Sequence, residues 1–155
     1  MSQTERAEMG KRILKSIVIL LAAMVVIIIG YNLFGGALCN NVRAAQIEKS
    51  FSSLELPEGT ELIETASFVG NTSGTGNHTE IWAGMLVYSK LAEEDLNQYF
   101  EGYDVYCILD SQKNDWPRAM RNAGFSRLDE AMINEGYFVI GSYYEAFTQA
   151  DIRGH

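Results

Sequence analysis

One stretch constrains this chain more than any other: residues 16–42 carry no charged side chain, and residues 17–29 are apolar throughout. With Asn32 as the polar break, the apolar character continues to Phe34. A helix of roughly 17–25 such residues crosses a bilayer, and 17–34 reaches the lower end of that requirement. Lys11, Arg12 and Lys15 stand immediately before the run, with Arg6 further upstream. Basic flanks stay on the cytoplasmic side. The sequence therefore predicts a single pass through the cytoplasmic membrane: residues 1–15 inside, a transmembrane helix over 16–36, and everything after about residue 40 outside.

The charge distribution agrees with two unlike compartments. Four basic and two acidic residues precede the run, a balance of +2, against −8 for the whole chain, which leaves −10 for the remainder. Such an acidic exterior disfavours nucleic acid as a partner and repels anionic head groups, although it serves solubility equally well. A cleavable signal peptide shares the basic start and the apolar run, and Gly35, Gly36 and Ala37 are small enough for a secreted product cut near Ala37. The apolar stretch outruns the usual h-region of about 7–15 residues, and residues 31–34 suit a helix end at the interface. An uncleaved anchor is the expectation. Cys39 follows the bulky Leu38, where lipid attachment calls for a small residue.

Cys39 and Cys107 are the two cysteines, both on the outer side of the run. An oxidising compartment permits a disulfide between them; the plainer arrangement is two separate thiols, one at the membrane edge and one buried in a strand. With only His78 and His155 besides, they make no zinc set. Asp110, Asn114 and Asp115 lack the alternation of a calcium loop. No metal and no cofactor is expected.

Residues 37–58 read as a juxtamembrane helix capped by Asn41, with Val42, Ala45, Ile47, Phe51 and Leu54 broadly on one side. It either packs on the following domain or extends the anchor as a stalk. Pro57 and Gly59 end it, and residues 59–155 have the length of one compact domain. Strands are expected over 61–69, 79–89, 103–109 and 137–144, and helices over 91–100 and just after Asp115, while 125–133 is ambiguous. The run from Ile81 to Tyr88 leaves almost no polar position, as expected of a strand covered on both faces. The expected class is α+β: a small antiparallel or mixed sheet of about four strands, with helices packed on one face.

The loop 70–79 is the most conspicuous element without a structural task. Its glycines allow positive φ, and exposed amides there suit an anion. It is neither a dinucleotide fingerprint nor a phosphate loop, and a plain strand connector has the same composition. Asn71 and Asn77 head two glycosylation sequons. His78 with a nearby acid such as Glu80 is the one pairing suited to general-base work, but no serine sits in a nucleophile elbow. Tyr106 and Tyr144 head a large aromatic complement, and tyrosines left at a surface are ready contact groups. Three functions follow. The foremost is a membrane-anchored binding or accessory domain, without catalysis, whose partner is another protein or an envelope component. The others are a small envelope hydrolase using His78, and a subunit of a membrane complex.

Overall fold

The computed structural model describes residues 3–72, 78–108, 116–149 and 151–154. Helix α1 (Gln3–Gly30) contains a segment long and apolar enough to cross a membrane. It does not end at the glycines that follow. Gly30, Gly35 and Gly36 all keep right-handed helical dihedrals, so the chain passes through one wide π-turn (Tyr31–Gly35) straight into helix α2 (Gly36–Phe51). The extra residue per turn crowds the backbone locally. The Tyr31 ring lies where a Cβ on Gly35 would stand, 2.9 Å from its Cδ2. Asn41 is therefore interior to a helix and caps nothing.

Four strands follow: β1 (Thr60–Gly70), β2 (Glu80–Ser89), β3 (Asp104–Cys107) and β4 (Tyr137–Glu145). They form one antiparallel sheet in the order β1-β2-β4-β3, with a register shift between Leu62 and Glu64 in β1. Helices α3 (Glu93–Tyr99), α4 (Arg118–Asn122) and α5 (Leu128–Ala131) complete the domain. Glu93, Glu94 and Asp95 occupy the first turn of α3, where carboxylates complement its dipole. Gly136, at φ +85°, makes the turn that delivers the chain into β4, a conformation costly for any residue with a Cβ.

The α+β class, the N-terminal apolar helix and the four antiparallel strands are as the sequence predicts. The helices, however, cover both faces of the sheet, as the unbroken apolar run of β2 requires. Ala83, Met85 and Val87 of β2 meet Ile140 and Val105 beneath Phe51 of α2 and Leu96 and Phe100 of the α3 region. On the other face Trp82, Leu86 and Val139 meet Trp116, Ala119, Met120, Phe125 and Ala131. Trp82 owes its place to a cross-strand glycine pair. Gly84 lies opposite Gly141, and the indole occupies the space that a Cβ on either would need.

Of the two arrangements open to the juxtamembrane helix, packing is the one observed. Its buried side is Asn40, Ala44 and Phe51, with Ile47 half-buried, whereas Val42 and Ala45 face outward. The expected apolar side was rotated because its true first member is polar. Asn40 is wholly buried and fully occupied: its amide nitrogen donates to the Thr148 carbonyl (2.9 Å) and to Asp151 Oδ2 (2.9 Å). Its oxygen accepts from the Thr148 N–H (3.0 Å). Arg153, on the closing 3₁₀ turn (Ile152–Gly154), donates to both Asp151 oxygens, to Asn41 Oδ1 (2.7 Å) and to the Ala37 carbonyl (3.1 Å). The C-terminal segment is thus fastened to the first two turns of α2. Glu48 fastens the same helix to β1 by accepting from Ser67 Oγ (2.7 Å) and Thr65 Oγ1 (3.3 Å).

Candidate functional site

At the end of the sheet nearest α1, where β2 begins and β4 ends, a groove of about 600 Å³ opens to solvent. His78, Thr79 and Glu80 form one wall, and residues 143–149 form the other. Strand alternation puts Glu80, Tyr143 and Glu145 on one side of the sheet, with Glu80 directly opposite Glu145 and Tyr143 opposite Trp82. Two carboxylates facing each other across a pair of strands repel. Burial first, then the Asp104 and Glu80 carboxylates, push the Tyr143 hydroxyl pKa up.

Beyond β4 the chain is held at two successive residues. The Thr148 backbone is bonded to Asn40 as described, and the Gln149 side chain brackets Thr79, accepting from its N–H (2.7 Å) and donating to its carbonyl (3.0 Å). Phe147 stands immediately before these two locks, yet its ring is 66% exposed. A large apolar side chain presented on anchored backbone costs little further entropy when something covers it. Tyr143, 41% exposed, is its neighbour along the same wall.

His78 Nε2 approaches Glu80 Oε2 at 3.4 Å, the imidazole–carboxylate pair anticipated from the sequence. The same carboxylate oxygen accepts a hydrogen bond from the Thr72 hydroxyl. The order is hydroxyl, carboxylate, imidazole. A nucleophilic triad needs the imidazole in the middle, so that it takes the hydroxyl proton while the carboxylate orients it. Here the carboxylate stands in the middle, so the three groups are not arranged as such a triad. Among the described residues no group of three His, Cys, Asp or Glu side chains is gathered to hold a metal ion.

The other residues singled out from sequence fall in several places. Tyr144 lines the groove but is half-buried against Ile81 and the α2 face, its pKa raised by burial and by Tyr103. Tyr106 does not line the groove; it lies on β3, packed against the Trp82 cluster, and burial, then Asp104 and the groove residue Tyr143, push its pKa up. Asn71 is half-buried, and its N–H donates to the Arg153 carbonyl (3.2 Å). Asn77 lies outside the described residues, as do Asp110, Asn114 and Asp115. Cys39 and Cys107 are both free thiols, so the permitted disulfide is not formed. They sit at opposite ends of the sheet, Cys39 beside Asn40 and Cys107 opposite Phe138. Burial, then Glu93, pushes the Cys107 thiol up, which disfavours its reactive thiolate form.

Glu145, Phe147 and Gln149 complete a site that sequence reasoning did not assemble. The β4 alternation would have paired Tyr143 with Glu145, but nothing local announces that residues 146–149 are clamped to a helix more than a hundred residues earlier. No protein-family model matches the chain, and no curated protein or solved structure matches it significantly.

Proposed function

We propose that this protein is a single-pass accessory protein of the cytoplasmic membrane. In this reading its N-terminus is inside, and its acidic α+β domain stands outside and binds a protein or envelope component without catalysis. One observation carries it: a groove whose exposed aromatics are set on locked backbone and rimmed by polar side chains, the composition favoured where binding energy concentrates. The basic flank of α1 supports the orientation, and direct packing of α2 on the sheet supports a domain held close to the bilayer. The experiment is recovery of partners from detergent-solubilised membranes, with the full chain as bait and Tyr143→Ala alongside. A partner retained by the parent and lost with Tyr143→Ala supports the groove; equal retention removes it as the binding site.

A hydrolase is the second reading, favoured by the His78–Glu80 contact alone. The order of the Thr72, Glu80 and His78 groups argues against it. His78→Ala should leave biological activity intact; loss of activity at an unchanged melting temperature would establish the enzyme instead.

A further inference from the structure

We infer that the groove end of the domain rests on the outer edge of the lipid head-group layer, with the Phe147 ring inserted among the head groups as a second membrane contact beside α1. The inference rests on the reading of α1 as a membrane span and adds to it a surface that the span does not supply.

The argument is one of levels along an unbroken helix. With Lys15 kept at the inner edge, about 20 helical residues at about 1.5 Å each fill the roughly 30 Å hydrocarbon core, which puts its outer boundary near Gly35. The head-group layer beyond is about 5–7 Å deep. Asn40 lies five residues past Gly35, about 8 Å higher along the axis, which is at the outer edge of that layer. Because α1, the π-turn and α2 keep helical dihedrals throughout, no hinge lifts the domain away from that level.

Thr148 is bonded to Asn40 from both directions, so the end of the groove shares the level of Asn40. Arg153 reaches lower, to the carbonyl of Ala37. The exposed Phe147 ring, one residue before Thr148, therefore stands at the outer edge of the layer, within a side chain's length of the height where aromatic side chains favour the interface. The opposite end of the domain offers a contrast. Ile133, 81% exposed, lies in the segment leading to the Gly136 turn, at the far end of β2 and β4. Exposed Tyr31, Phe34 and Leu38 continue the apolar surface of α1 up to the level of Ala37.

The test uses the full chain with Cys39→Ala and Cys107→Ala, carrying either Phe147→Cys or Ile133→Cys labelled with an environment-sensitive fluorophore. The protein is reconstituted into phosphatidylcholine vesicles with or without a head-group nitroxide lipid. The expected result is blue-shifted emission and strong nitroxide quenching at position 147, and water-like, unquenched emission at 133. Water-like emission at both positions would overturn the inference while leaving α1 as a span. A blue shift at 147 without lipid quenching would also overturn it, in favour of a protein covering the ring. Failure of the chain to float with the vesicles would instead refute the membrane span itself, and this inference with it. Phe147 is exposed, so the labelled protein should melt with the unlabelled background; a lower melting temperature would show that the ring is a packing residue and count against its role at the surface.

Discussion

Asn40→Ala should destabilise the domain more than any other single polar truncation in α2. The change removes two donated bonds and one accepted bond, all at 2.9–3.0 Å. It takes the Asn40 side chain away from the part-buried Thr148 N–H and carbonyl. A typical bond contributes about 1 kcal/mol net, and a buried group left unpaired costs about 1–3 kcal/mol. The combined loss is about 3 kcal/mol, which lowers the melting temperature of a domain this size by roughly 10 °C. The assay is near-UV circular dichroism of the full chain in detergent, reporting on buried Trp82 and Trp116. Asn41→Ala is the internal control, since that side chain accepts a single exposed bond from Arg153 and should cost less than about 1 kcal/mol.

Acid provides a second arm of the same test. Asp151 is held down to about 2, chiefly by the Arg153 hydrogen bond, which overcomes burial, with Asn40 assisting. Its folded value lies below its unfolded one, so its stabilisation, about 2 kcal/mol, is complete above about pH 4 and is lost as the pH falls through about 2. Arg153→Met should flatten most of this acid dependence, and Asn40→Ala only part. If Asn40→Ala melts with the parent, or the two variants show equal acid profiles, the clamp does not hold the fold as argued.

Gly141→Ala should cost about 3 kcal/mol, because its Cβ would stand 2.5 Å from Trp82 Cζ2 and 2.9 Å from the Ala83 carbonyl, neither free to retreat; a chemical denaturation curve unchanged from the parent would contradict the packing of Trp82. Protease added to wall-stripped cells should digest the C-terminal domain and spare residues 1–15, and a protected C-terminus would reverse the orientation.

How much of this was legible in the sequence follows from the range of each interaction. The apolar helix, β2, β4 and the acidic first turn of α3 are local patterns; β2 and β4 lie within a residue of their expected bounds, while the helix expected over 16–36 begins at Gln3 and runs on into α2. The α2 face was misread because an apolar-periodicity argument discounts Asn40, whose burial becomes favourable only through partners 108 and 111 residues away. Asn41 is a residue type that suits a helix cap, but the helical dihedrals of Gly30, Gly35 and Gly36 carry the helix through it. Of the groove, His78 with Glu80 could be paired by proximity in sequence. Phe147 could not be distinguished from the core aromatics, since its exposure is set by the clamp at Thr148 and Gln149.

The continuity of α1 with α2 makes the domain a crank on a shaft. Each residue of an α-helix turns the chain by about 100° and advances it about 1.5 Å. Because the C-terminal segment grips α2 and not α1, inserting one residue between Gly30 and Gly36 would swing the whole sheet by about that angle around the axis. Inserting seven would bring it back near its starting azimuth, about 10 Å farther out. The direction in which the groove faces is thereby set by helical phase along α1, and anything that fixes the rotation of α1 also aims the domain.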